Sequence, residues 1–193
     1  LTVTFTRNAA NEMNVRYCKL IERFAGSSLP YEFLFMTLHS YCVKIIKKYY
    51  AGRKENFRIF ADEIKIKKLI RDIYKEINGD VTYFDRVEDG EKIIVSLISK
   101  LKTEYESEKT FRKKEFYQNN GIDVRNFDLI HRRYEEYKNK HGLIDFDDML
   151  IFVNNILEKN QSFAEKMASE FDYIQVDEGQ DLSLLQINIL NKI

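Results

Sequence analysis

Phe171-Asp172-Tyr173-Ile174-Gln175-Val176-Asp177-Glu178-Gly179-Gln180-Asp181 is the stretch on which the reading of this chain turns. Tyr173, Ile174 and Val176 make a short β-prone run that empties into two adjacent carboxylates, Asp177 and Glu178. An apolar run of this length reads as a buried parallel strand, and open α/β sheets bind ligands beyond the C-terminal ends of their strands. Two carboxylates there suit a hydrolytic nucleotide site: one can hold Mg²⁺ through its water shell, and its neighbour can orient or deprotonate an attacking water. The plainer alternative is an acidic turn whose carboxylates favour the positive end of a helix starting at Ser183.

Two strand-to-helix units stand at the other end of the chain. Leu1-Thr2-Val3-Thr4-Phe5-Thr6 is β-branched and aromatic, Arg7-Asn8 breaks it, and a helix is predicted from Ala9 to Phe24. Ala10, Met13, Tyr17, Leu20, Ile21 and Phe24 stand at helical spacing, and Gly26 to Pro30 closes the unit. Phe33 to Thr37 reads as a second buried strand that turns through Leu38-His39-Ser40 into a helix carrying Val43, Ile46 and Tyr50. Taken alone, Phe5 reads as a core strand residue, since large apolar side chains are usually buried, and His39 as a capping histidine, since it has no Cys, Asp or Ser partner at triad or metal-ligand spacing.

From Ala51 to His141 the alternation of strand and helix stops. Ile64 to Ile77 carries Ile66, Leu69, Ile70, Ile73 and Ile77 on one helical face, Asn78-Gly79-Asp80 is a turn signal, and Glu91 to Tyr105 repeats the pattern with Ile94, Leu97, Ile98 and Leu101. Lys109 to Asn119 is a charged short helix, and Phe127 to Lys140 is a further one closed by His141-Gly142. Asp145 then suits the N-cap of a helix through Leu157, with Asp147 and Asp148 in its first turn. Three aspartates also invite a metal loop, but the glycine and distal glutamate of an EF-hand are missing, so capping is the better account.

Composition sets the bounds. The chain has 193 residues, 44% hydrophobic and 32% charged with net charge +0, which fits one or two globular domains and excludes disorder. The basic runs Lys44–Lys54 and Lys109–Lys114 read as solvated helix faces. Cys18 and Cys42 lie in apolar helical patterns and read as reduced core residues of a cytoplasmic protein. No apolar run reaches membrane-spanning length, and the strand-like start and helical end are those of a piece cut from a longer chain.

Asp-Glu-Gly-Gln-Asp, with Gln186 beyond, resembles motif II (Walker B) of the UvrD/Rep family of superfamily 1 DNA helicases, usually Asp-Glu-x-Gln-Asp. Thr4-Phe5-Thr6-Arg7-Asn8-Ala9-Ala10-Asn11-Glu12-Met13 resembles motif Ia, with Arg7 where many relatives carry Asn. Thr37-Leu38-His39-Ser40-Tyr41-Cys42 resembles motif Ib, and Asp145-Phe146-Asp147-Asp148-Met149-Leu150 the Asp-Phe-Asp-Asp-Leu-Leu element. The four occur in the family's order. The resemblance implies an α/β fold: a partial RecA-like P-loop NTPase core over 1–50 and 142–193, interrupted by an all-helical insertion over 51–141. It implies ATP and Mg²⁺ as cofactors and a motor moving 3′-to-5′ on single-stranded and forked DNA, working with the remaining helicase domains of its parent chain.

Residue by residue, the resemblance makes Asp177 the Mg²⁺ ligand through water and Glu178 the catalytic carboxylate. Gln180 and Asp181 couple the γ-phosphate site to the DNA side. Phe5, Thr6, Arg7, Asn8, Thr37, His39 and Ser40 contact DNA, Phe5 lying against a base. A Gly-x-x-x-x-Gly-Lys-Thr loop is not among these residues, so the segment alone is expected to be inactive. Two rivals share the motifs: the helicase part of an AddA- or RecB-like helicase–nuclease, and a non-catalytic DNA-binding module that kept the fold.

Overall fold

The computed structural model describes residues 1–23, 32–51, 58–107 and 123–193, with backbone alone for 104–107. In chain order the elements are β1 (Thr2–Thr4), α1 (Arg7–Arg23), β2 (Phe35–Thr37), α2 (Leu38–Tyr49), β3 (Arg58–Ile59), α3 (Glu63–Asn78), α4 (Thr82–Arg86) and α5 (Gly90–Ser107). They continue with α6 (Phe127–His141), β4 (Leu143–Ile144), α7 (Phe146–Lys159), α8 (Gln161–Ala168), β5 (Gln175–Val176), a 3₁₀ turn (Gly179–Asp181) and α9 (Leu184–Leu190). The chain divides into two compact units, residues 1–53 with 152–193, and residues 54–151. Phe24, the Gly26–Pro30 turn and the Lys109–Asn119 helix of the sequence reading lie outside the described residues.

The first unit is a parallel sheet of order β2-β1-β5 flanked by helices, a partial RecA-like core. The register pairs Thr4 with Thr37 and Val3 with Val176, so all three strands end on one side. Central β1 buries Val3 and Thr4, both 2% exposed. On α2, Tyr41, Cys42, Ile45 and Ile46 are buried, as the 3.6-residue period demands of a helix laid on a sheet. Val153, Ile156 and Leu157 of α7, Met167 of α8, and Leu185 and Ile189 of α9 are buried in the same unit.

Several expected burials do not occur. β5 is shorter than the Tyr173–Val176 run and partly open, because it pairs on one side only, and Tyr173 is 73% exposed. Helix α1 buries Ala10 alone; Leu20 and Ile21 are exposed, and Cys18, expected in the core, is exposed while Cys42 is buried. The cause is rotational: α1 turns Met13 and Tyr17 inward, and Tyr17 meets Phe33 and Phe35 at ring-centroid distances of 4.9 and 5.7 Å, leaving Cys18 to point away.

Among its described residues the second unit is helical apart from a two-stranded parallel ladder, β3 with β4. Its core is Ile70, Ile73 and Tyr74 of α3, Ile94, Ile98 and Leu101 of α5, and Phe127, Ile130 and Tyr134 of α6. These are the a/d-like positions that periodicity marks on α3 and α5. Gly79 ends α3 at φ 77° and Gly142 ends α6 at φ 61°, left-handed caps that favour glycine. The ladder holds residues 142–144 in this unit: the Arg58 amide donates to Gly142 O at 2.8 Å and the Phe60 amide to Ile144 O at 2.7 Å.

Asp145 and Asp148 cap α7 reciprocally, each accepting the other's backbone N–H at 2.9 Å. Around them two buried lysines converge. Lys138 Nζ donates to Asp145 and Asp148 at 2.6 Å each and lies 2.9 Å from Glu135, while Lys102 Nζ donates to both Asp145 oxygens at 3.0 and 3.1 Å.

Candidate functional site

The site is assembled by three turns at the C-terminal ends of β1, β2 and β5, each built from short polar side chains. After β1, the buried Thr4 hydroxyl donates to Thr6 O at 3.0 Å, and Thr6 Oγ1 accepts the Ala9 N–H at 3.1 Å. Thr6 is thus the N-cap of α1. The tight turn throws Phe5 outward, leaving it 42% exposed, and sets Arg7 and Asn8 in the exposed first turn of α1.

After β2, Thr37 Oγ1 accepts the Ser40 N–H at 3.1 Å and lies 2.8 Å from Ser40 Oγ. Both hydroxyls are therefore engaged in capping α2, and Thr37 itself is 6% exposed. His39 is half-buried, and burial lowers its pKa, which favours the neutral imidazole over the cation.

After β5, the Asp177 N–H donates to Val3 O at 2.9 Å and carries the ladder one step past the strand. The chain then reverses at Glu178, which adopts φ 53°, ψ 42°. This left-handed conformation is uncommon for a residue with a Cβ and clusters at functional sites. The Asp181 N–H closes the 3₁₀ turn on Glu178 O at 2.9 Å, and the Gln180 side-chain amide donates to the Glu178 carboxylate. Ser183 caps α9 in a capping box with Gln186, whose Oε1 accepts the Ser183 N–H at 2.9 Å.

Phe5, His39, Asp177 and Gln186 line one small cleft of about 30 Å³, floored by Val3 and Leu38. Parallel pairing is the reason, because residues just past the register pairs Thr4–Thr37 and Val3–Val176 must emerge side by side. Glu178 and Gln180 follow Asp177 on the exposed rim. Thr6, Thr37 and Ser40 are spent largely on capping, so their side chains hold the turns while their neighbours Phe5, Arg7 and Asn8 are exposed and His39 lines the cleft. Leu38 and Leu182 of the cleft lining carry no signal in the sequence that separates them from ordinary core leucines.

The donor set suits a hard divalent cation. Asp177 and Glu178 offer carboxylate oxygens at a strand end, and among the described residues neither is engaged in an ion pair. The carboxylates Glu135, Asp145 and Asp148 of the second unit also lie within 4.8 Å of one another. There the ammonium groups of Lys102 and Lys138 already fill the centre, so that cluster is an ion-pair network and not a metal site.

Comparison with known proteins gives the family of the chain. The family model of the UvrD/REP helicase N-terminal domain matches residues 1–193. The chain is 29% identical over 192 residues to a probable DNA helicase II homolog of Mycoplasma capricolum, covering 98% of this chain and 25% of that protein. It is 28% identical over 192 residues to the ATP-dependent DNA helicase PcrA of Staphylococcus epidermidis, covering 98% of this chain and 24% of that one. PcrA of Staphylococcus aureus gives 28% over 193 residues, with 98% and 24% coverage. The chain thus spans about a quarter of the length of these relatives.

Proposed function

Because the chain belongs to the UvrD/REP helicase N-terminal domain family, we propose that its first unit is the strand-end face of a motor that couples ATP hydrolysis to 3′-to-5′ movement on single-stranded DNA. The supporting observation is the shared cleft: an exposed aromatic, Phe5, and an acid at a strand end, Asp177, stand against the same small space. A change on the nucleotide side therefore has a short route to the nucleic-acid side.

Each residue's task follows from its place. Phe5 offers a sequence-tolerant stacking surface for a base. Arg7 and Asn8, at the positive end of α1, face backbone phosphate, and His39 adds a neutral hydrogen-bonding group. Asp177 would hold Mg²⁺ through its water shell. When bound, Mg²⁺–ATP supplies the electrophilic γ-phosphoryl group with part of its charge neutralised. Glu178, held outward by its left-handed backbone, would orient an attacking water and accept its proton. Gln180, already bonded to Glu178, would set the direction of that carboxylate. We further assign the first unit, residues 1–53 with 152–193, to the core, and the second unit, residues 54–151, to an insertion that meets duplex at a fork. No Gly-x-x-x-x-Gly-Lys-Thr loop stands among these residues, so we expect them not to turn over ATP unaided.

The test is ATP turnover by the intact polypeptide that carries these residues, with and without single-stranded DNA, beside Glu178→Gln. We expect DNA-stimulated turnover that the variant lowers by at least about a hundredfold, the scale of losing a group that acts in proton transfer. Turnover that persists in Glu178→Gln would remove the assignment of Glu178. Absence of turnover in the unaltered protein would remove the motor.

A further inference from the structure

Helix α2 carries three lysines and no acid, Lys44, Lys47 and Lys48. An ordinary solvated helix face alternates sign, as α3 does with Glu63, Asp72 and Glu76 among its lysines. On α2 the lysines instead line a shallow groove of about 400 Å³ with Ser40, Val43 and Ala51. These positions recur at helical spacing on one face, and from Ser40 to Ala51 the groove runs ~16 Å at 1.5 Å per residue. The opposite face is locked by Tyr41, Cys42, Ile45 and Ile46, none more than 3% exposed, so the lysine Cα positions are fixed.

One cation is answered locally: Lys48 pairs with Glu170. Lys44 lies 5.7 Å above the Phe171 ring, and among the described residues neither Lys44 nor Lys47 makes an ion pair. The groove begins at Ser40, beside the half-buried His39 of the strand-end cleft. Resting on the DNA reading of that cleft, we infer that the basic face of α2 is a phosphate track, which takes the backbone of the single strand away from the β2 end and along the helix. Lys44 and Lys47 are its contacts, and Ser40 marks where the strand enters. The track recognises polyanion spacing and charge, without base readout.

The experiment measures single-stranded DNA affinity of the intact polypeptide against salt, for the unaltered protein, Lys44→Gln/Lys47→Gln, the Arg/Arg version of the same pair, Phe5→Ala, and a control pair on the exposed lysines Lys159→Gln/Lys166→Gln. Losing two phosphate contacts should reduce the slope of log K against log salt by about 1.4 and weaken binding about tenfold or more at 0.1 M salt. Arginine should restore both, and the control pair should change neither. Phe5→Ala should weaken binding with its slope intact, since stacking releases no counterions.

If the Gln pair behaves as the control pair while Phe5→Ala still weakens binding, the track is overturned and the cleft stands. If the Gln pair lowers the slope and Phe5→Ala has no effect, the track stands and the cleft reading falls. If the unaltered protein binds no single-stranded DNA, both fall. Loss of polyglutamate binding without loss of DNA binding in the Gln pair would also overturn the track, in favour of an acidic protein partner.

Discussion

At the scale of single residues, Lys138 shows how a buried charge is tolerated. It is 1% exposed, and Glu135, Asp145 and Asp148 all stand within 3 Å of its ammonium. Removing one member of such a group strands the others without compensation, at a typical cost of ~3–5 kcal/mol. Lys138→Met is therefore expected to lower the unfolding free energy of the unit by about that amount in urea titration, and an effect below ~1 kcal/mol would contradict the network's role. Burial pushes the Asp145 carboxyl up, but the ammonium groups of Lys102 and Lys138 outweigh it and hold the pKa below the ordinary value. Below an unfolded value of about 3.9 the unfolded chain takes up its proton first, so the contribution of Asp145 is complete above about pH 4 and falls as the pH drops toward the folded value. Asp145→Asn should flatten that acid limb relative to the unaltered protein.

At the scale of elements, the caps decide where helices begin and hence where functional side chains point. Thr6, Thr37 and Ser183 each accept a backbone N–H in the first turn of α1, α2 and α9. Ser183 was legible as a helix start, whereas the sequence begins α1 at Ala9 and gives the capping role at α2 to His39, so Thr6 and Thr37 emerge as caps only in the structure. Ser183 is the most informative to change, because its capping box fixes α9 directly behind the Asp177–Asp181 turn. Ser183→Ala should cost about 1 kcal/mol, read as a lowered midpoint in denaturant titration. In the intact polypeptide it should also reduce DNA-stimulated ATP turnover more than the affinity for single-stranded DNA. Unchanged stability would show that Gln186 holds the turn without Ser183.

At the scale of the molecule, the two units each own a set of buried residues. The second is continuous in sequence over residues 54–151, and its core draws on α3, α5 and α6 together. A fragment of these residues is expected to show helical circular dichroism and a cooperative thermal transition. Ile94→Ala, at a position 0% exposed, should destabilise it by roughly 2–5 kcal/mol. A fragment with a broad, non-cooperative melt would show that this core needs the remainder of the chain.

What the sequence by itself determined is local. Apolar periodicity marked α3, α5 and α6, glycine marked the caps at Gly79 and Gly142, and the motif residues announced the strand ends, because these features are set by interactions within a turn or two. The tertiary structure alone decided which apolar side chains stay wet. Tyr173, Leu20 and Cys18 carry core-like patterns yet face outward, since their burial depends on which neighbours the sheet and α1 present. It alone also paired Arg58–Ile59 with Leu143–Ile144 and set Lys102 against Asp145, a partner 43 residues away. No local pattern encodes such pairings: each lysine in the sequence is an ordinary member of a charged helix until the chain closes around it and water is excluded.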